Sequence, residues 1–225
     1  MAAFHYYGHS CFLIEDGKYK VLADPFLTGN PAASISADEV ECDYILVSHG
    51  HADHLGDAPK IAKRTGAIVI GIPEVLSVCE EREPGIRTHA MNIGGSITLP
   101  FGKVRMTEAI HSCGVPGGLS CGYVINIGNK NVYFAGDTSL FYDMKLIGKK
   151  DTLDYAVLPI GDNFTMGLED AALAAQWLNA SNVIPIHYDT WPVIKQDVKK
   201  YKEITEEMTR AEVHILKPGS VLELA

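Results

Sequence analysis

The chain has 225 residues, 47% of them hydrophobic, with 21 glycines and a formal net charge of −9. That length suits one domain, spanning 1–225, with a sizeable core, and the acidic balance disfavours a nucleic-acid partner, whose sites show a basic patch. No apolar run approaches the ~20 residues of a membrane span, so no membrane partner is expected. Five cysteines occur without a Cys-x-x-Cys pair, which fits a reducing compartment. With no basic-then-apolar N-terminal segment, the chain reads as soluble and cytoplasmic.

Residues 3–23 read as strands joined by the turn chemistry of Glu15-Asp-Gly-Lys18, with Gly8-His9-Ser10 interrupting the first strand as a bulge or loop. Asp24-Pro25 ends this region, and a polar Ala-, Ser- and Pro-rich connection follows to Asp43. Tyr44-Ile-Leu-Val-Ser48 reads as a buried strand. A helix is expected from about Asp57 to Thr65, stopped by Gly66. Ala67–Ile70 is a strand, and Pro73 opens a helix to about Glu81. From Arg87 to Gly136 the chain turns β-rich, with strands at Ile97–Leu99, Val104–Glu108, Gly122–Asn126 and Val132–Ala135. Gly128-Asn-Lys130 is a hairpin turn between the last two. Strand Tyr155–Leu158, helix Glu169–Leu178, strand Val183–Ile186 and a charged helix Ile194–Arg210 follow. Strands Val213–Leu216 and Val221–Leu224 are expected to close the sheet.

The most informative stretch is Ser48-His-Gly-His-Ala-Asp-His-Leu-Gly-Asp57. His49, His51, Asp53 and His54 fall within six residues where a strand gives way to a helix, the place open α/β sheets put their sites. Neutral imidazoles suit Zn²⁺, Fe, Ni and Cu, and a carboxylate adds charge. His49 and His51 can face one ion in a turn. Asp53 and His54 can face a second, at the roughly 3.5–4 Å separation of paired hydrolytic metals. Three more ligand-type residues, His111, Asp137 and His187, each follow an apolar strand.

His49-x-His51-x-Asp53-His54 resembles the signature of the metallo-β-lactamase superfamily. Tyr7-Gly-His-Ser-Cys-Phe-Leu-Ile14 and Leu158-Pro-Ile-Gly-Asp-Asn-Phe-Thr-Met166 look like one branch of it, the small metal-dependent hydrolases related to the ascorbate-phosphate lactonases. The resemblance implies an α/β fold, an αββα sandwich of two mixed sheets with helices on the outer faces. It assigns His49, His51 and His111 to one divalent ion, and Asp53, His54 and His187 to another, with Asp137 bridging. Zn²⁺ is the first expectation; Mn²⁺, Ni²⁺ and Fe suit the same donors. Asp24 would lie behind the metals and fix a histidine tautomer; an Asp-Pro turn is the alternative.

Two dications sharing a water lower its pKa toward 7, so the expected activity is hydrolysis of a small-molecule ester, lactone or phosphodiester. Asp53 doubles as ligand and proton acceptor in this reading. His9 and Asp162 are candidates for the general acid, and for His9 a bond to its own turn is the alternative. Asn163, Thr165 and Met166 are candidate pocket residues. The glycine-rich Ser112–Ser120 loop, with Gly117 and Gly118, is a candidate substrate contact. A nuclease or phosphodiesterase acting on nucleic acid, or a non-catalytic metal-binding protein, are the alternatives. The exposed helices leave room for a homo-oligomer. His5, His89 and His214 lack ligand-like company and read as structural or surface residues.

Overall fold

In the computed structural model, which describes residues 2–225, the N-terminal segment forms antiparallel strands β1 (Ala2–Gly8) and β2 (Cys11–Glu15). The pairing runs Phe4 to Ile14 and Tyr6 to Phe12, then slips between Tyr6 and Gly8. This bulge carries His9 away from the ladder with a left-handed backbone (φ 57°).

β3 (Lys20–Ala23), β4 (Tyr44–Leu46), β5 (Ile68–Gly71) and β6 (Arg87–Ala90) continue the sheet in parallel. The connections use helices: α1 (Ala52–Leu55) and α2 (Ala58–Thr65) between β4 and β5, and α3 (Pro73–Arg82) between β5 and β6. The second sheet opens with antiparallel β7 (Ser96–Leu99), β8 (Gly102–Glu108), β9 (Cys121–Ile127) and β10 (Lys130–Phe134). It becomes parallel at β11 (Tyr155–Pro159), β12 (Asn182–Ile186) and β13 (Glu212–Val213). Helices α4 (Met144–Lys150), α5 (Leu168–Leu178) and α6 (Val198–Met208) pack against this sheet. The last strand, β14 (Val221–Leu224), returns to the first sheet and pairs with β1. The orders are β14-β1-β2-β3-β4-β5-β6 and β13-β12-β11-β10-β9-β8-β7.

The two-residue side-chain period of a strand explains the layering. Val132 and Phe134 face the first sheet, where Phe134 meets Phe12 edge-on, while Tyr133 and Ala135 point into a second core under the helices. Ala171, Ala172, Ala174 and Ala175 let α5 approach β11 closely. Two mixed sheets with helices outside form the αββα sandwich.

Some local expectations are corrected. The helix expected at Ile194–Arg210 begins later: a 3-10 turn spans Pro192–Ile194, Lys195 is extended, and Asp197 caps α6 by accepting from the Lys199 and Lys200 backbone N–H groups. The 57–65 helix starts at Ala58, after a separate four-residue turn. β6, exposed at three of its four residues, and the seven-residue α4 have weak patterns, and neither is among the expected elements. The final two strands were expected to close one sheet, but they end in different sheets.

Candidate metal centre

The site forms where strands of both sheets end. β4 delivers Ser48, His49 and His51, and the one-turn helix α1 presents Asp53 and His54 on its first turn. His111 follows β8, Asp137 follows β10, and His187 follows β12 with a left-handed backbone. Backbone bonds clamp the pieces together: Gly50 N–H donates to Cys113 O, Cys121 N–H to Ser48 O, and His187 N–H to His9 O. Ser139 N–H reaches Ile110 O, and Ile110 N–H reaches Thr138 Oγ1, which sets His111 beside Asp137.

The ligand-type atoms fall into three groups, one of them Asp24, His49 and His54 at the back of the other two. His49, His51 and His111 form one, with His49 Nε2 3.0 Å from His51 Nδ1. Asp53, His54 and His187 form the other, joined by His9. Asp137 Oδ2 stands between them, 3.0 Å from His187 Nε2, 3.2 Å from His54 Nε2 and 3.7 Å from His111 Nε2. Buried polar atoms are normally hydrogen-bonded, yet His54 Nε2, His187 Nε2 and Asp137 Oδ1 are buried without a partner. Such orphaned imidazole and carboxylate atoms, converging on common points, fit divalent cations.

Behind the rings runs a tautomer-setting chain. Asp24 Oδ2 accepts from Ser48 Oγ at 2.5 Å and from His54 Nδ1 at 2.7 Å, and Asp24 Oδ1 accepts from Ser48 N–H at 2.8 Å. With its proton given to Asp24, Ser48 Oγ is left to accept from His49 Nδ1–H at 2.9 Å. Both His49 and His54 therefore turn an unprotonated Nε2 inward.

His9 Nε2 donates to Asp53 Oδ2 at 3.2 Å, and its Nδ1 accepts from Thr190 Oγ1 at 2.8 Å. Its ring packs on His187, Trp191 and Phe26. Burial pulls its pKa down to about 4, against the raising effect of Asp53, so the ring is neutral and donates one proton. Burial likewise lowers His49, helped by the neighbouring imidazoles. Burial works to lower His54 too, but the Asp137 and Asp24 carboxylates outweigh it and raise the pKa. The negative field that would hold a proton at His54 Nε2 equally favours a cation there. Burial pushes the Asp137 carboxyl up, and His54 and His187 more than reverse this. Asp53 behaves alike, with His9 and His54 reversing the effect of burial.

A cavity of about 360 Å³ opens over these groups, lined by His51, Asp53, His111, Ser112, Asp137, Phe164 and His187. A larger hollow of about 570 Å³ near Gln176, Asn179 and Arg210 has no histidine, cysteine or carboxylate in its lining.

The structure thus brings together His49, His51, Asp53, His54, His111, Asp137 and His187, with Asp24 behind them. His9 is buried behind Asp53 rather than in the cavity wall. Asp162 and Asn163 are exposed in a turn closed by Thr165 N–H to Asp162 O, and Phe164 from that turn faces the cavity instead. Met166, a candidate pocket residue, is instead buried in the core beneath the helices. Gly117 and Gly118 lie on the loop but outside the cavity lining. Gly118 folds onto Cys113, and Gly114 lies against the His51 ring. Ser112, at the start of the loop singled out as a candidate substrate contact, does line the cavity, whereas Ser48, Phe164 and Thr190 escaped sequence reasoning. Ser48 could have been found from its place before His49 at a strand end; Thr190, 181 residues from its partner His9, left no local signal.

A family model for the beta-lactamase superfamily domain matches residues 19–188. The chain belongs to the beta-lactamase superfamily. Within it, the chain belongs with proteins called "UPF0173 metal-dependent hydrolase". One, from Heliobacterium modesticaldum, is 50% identical over 97% of this chain and 96% of that protein; another, from Pelotomaculum thermopropionicum, is 49% identical over 96% of this chain and 97% of that protein. Among solved structures, Igni18, a metallo hydrolase from Ignicoccus hospitalis, superposes with a TM-score of 0.91 at 34% identity, covering 98% of this chain and 97% of that one. Among the described residues of this superfamily member, no helix is long and apolar enough to cross a membrane.

Proposed function

We propose that this superfamily member is a dinuclear metal-dependent hydrolase acting on a small ester, lactone or phosphodiester. The observation that carries the reading is the convergence of seven ligand-type side chains in two groups bridged by Asp137, with buried donor atoms left unpartnered. His49, His51 and His111 would hold one ion, and Asp53, His54 and His187 the other. His and Asp donors accept Zn²⁺ foremost, and also Mn²⁺, Ni²⁺ or Fe.

When bound, such ions supply Lewis acidity and a lowered water pKa. The chain's own part is positioning and proton handling. Asp53, whose side chain is 27% exposed on the cavity wall, receives a proton from the attacking water. His9 acts through Asp53, fixing that carboxylate by its Nε2–H; it is a positioning residue. Asp24 and Ser48 keep His49 and His54 aimed inward. Ser112, at the cavity edge 3.4 Å from His51 Nε2, offers a hydroxyl to the substrate.

Elemental analysis of protein purified without chelator tests this. Near two ions per chain, falling in His51→Ala and Asp137→Ala together with turnover of any substrate found, is the expected result. Unchanged turnover in either variant would overturn the site.

A further inference from the structure

Residues 112–118 lie against the turn that carries His49 and His51. Gly50 N–H donates to Cys113 O at 2.8 Å and Cys121 N–H to Ser48 O at 3.0 Å, so the segment is tied to that turn near both of its ends. Gly118 N–H to Val115 O closes a tight turn within it, and Ser120 Oγ donates to Ser112 O. The segment forms a strap over residues 49–51.

One contact keys the strap in place. A Cβ on Gly50 would stand 2.3 Å from Val115 Cγ2, closer than carbon atoms approach, and 3.2 Å from Cys113 O. A Val115 methyl thus fills the notch that a side chain at position 50 would take, and Val115 also packs on the core between the sheets. Gly50 is not in the left-handed region, so its φ suits any residue. The Val115 methyl, rather than the backbone, is what demands glycine there.

The ligand-type side chains have separate supports. His49 is backed by Ser48 and through it by Asp24, His54 by Asp24, and Asp53 by His9, whose carbonyl also receives the His187 N–H. His51 has no such carboxylate among the described residues. Its Nδ1 faces His49 Nε2 at 3.0 Å, its Nε2 meets the Ser112 hydroxyl at 3.4 Å, and Gly114 packs on its ring. His111 directly precedes the strap. Two of the three side chains in the His49, His51 and His111 group therefore depend on the strap, while Asp53, His54 and His187 are held by His9 and Asp24.

We propose that Val115, seated in the notch at Gly50, is a positioning residue for His51 and His111, so that one of the two ion positions depends on the strap and the other does not. This rests on the dinuclear reading above. The strap's seating then sets how many ions the chain holds.

The test is a Zn²⁺ titration of metal-stripped, full-length protein against a chromogenic chelator, with circular dichroism and a thermal melt on each variant. In Gly50→Ala the new methyl lifts Val115, and one of the two binding steps should weaken about 10–100-fold, as when a ligand loses its supporting partner, with the other kept within about twofold. Gly50→Ala/Val115→Ala moves the methyl from one side of the notch to the other, leaving the two Cβ atoms 3.5 Å apart, an ordinary contact. It should bring the weakened step back to within about threefold of wild type, the mark of two coupled positions. A merely structural defect would deepen instead, because deleting a second packed methyl adds its own cost. Should Gly50→Ala not fold, Val115→Ala carries the same test: it empties the notch without a clash, and should weaken the same step and spare the other.

Two unaltered steps in Gly50→Ala, both steps weakened alike, or a double variant no better than the single one overturns the proposal. Wild-type protein that binds a single ion removes the dinuclear reading; Val115 then keeps its role if Gly50→Ala weakens that ion and the double variant restores it, and loses it otherwise. Wild-type protein that binds none removes both.

Discussion

Asp24 Oδ2 lies 2.7 Å from His54 Nδ1, and both side chains are sealed from solvent. The same oxygen takes the Ser48 hydroxyl proton, so one carboxylate fixes the tautomers of two imidazoles. Asp24→Asn keeps the shape but turns an amide NH2 either against the Ser48 N–H or against the Ser48 hydroxyl and His54 Nδ1–H, so the three donors can no longer all be received. Metal affinity should fall about 10–100-fold, read by competition with a chromogenic chelator. Affinity equal to that of the wild type would mean that the rings need no such support.

Gly114 holds a left-handed backbone (φ 74°), and a Cβ there would stand 2.4 Å from His51 Cδ2. Gly114→Ala therefore strains the loop by about 1–2 kcal/mol and pushes the His51 ring off its position. The expected outcome is a folded protein with less metal, the loss concentrated in the His49, His51 and His111 group. Circular dichroism and elemental analysis together check it.

His9 supplies a pH dependence. In the folded chain its pKa is about 4; in the unfolded chain it is about 6.5. Between those values the unfolded state binds more protons, so stability rises with pH through this window and is lost as pH falls from 6.5 toward 4. The size is on the order of 3 kcal/mol. Urea melts of chelator-treated protein should show this slope, and His9→Gln should flatten it.

His5 bonds Glu15 at 2.9 Å and His214 bonds Asn182 Oδ1 at 2.8 Å, both outside the ligand groups. Alanine at either position should leave the metal content unchanged, and elemental analysis that found metal missing would place a ligand wrongly.

All five cysteines are free and buried. Burial pushes the Cys79 thiol up to about 11 and the Cys42 and Cys121 thiols to about 12, and raises Cys11 as well. Since the thiolate is the nucleophile, these four should resist iodoacetamide at pH 8 until denaturant is added, as intact-mass spectrometry would show.

What the sequence disclosed follows the range of the interactions involved. The 49–54 cluster was legible because its spacing is local, and His111, Asp137 and His187 because each ends an apolar strand. Strand positions followed from short apolar, β-branched runs bounded by turn residues. The start of α6 lies later than expected because the Asp197 side chain caps the Lys199 and Lys200 N–H groups, a contact that the charged run from Ile194 does not mark. The positioning of Asp53 by His9, and of His9 by Thr190, depends on loops brought together only by the finished fold. Phe164 faces the cavity because of a tight turn with left-handed Asp162 and Asn163, a conformation no periodicity announces.

Each ligand group draws on both halves of the chain. Residues before the connector at 91–95 supply His49 and His51 to one and Asp53 and His54 to the other; residues after it supply His111, His187 and the bridging Asp137. Neither half, cut at that connector, owns the whole of the His49, His51 and His111 group or of the Asp53, His54 and His187 group, and β14 leaves the second half to complete the first sheet. Ions held as proposed would therefore be a proof of assembly: a nicked chain would regain its full complement only where its two fragments find each other, and ion uptake would count the reassembled molecules.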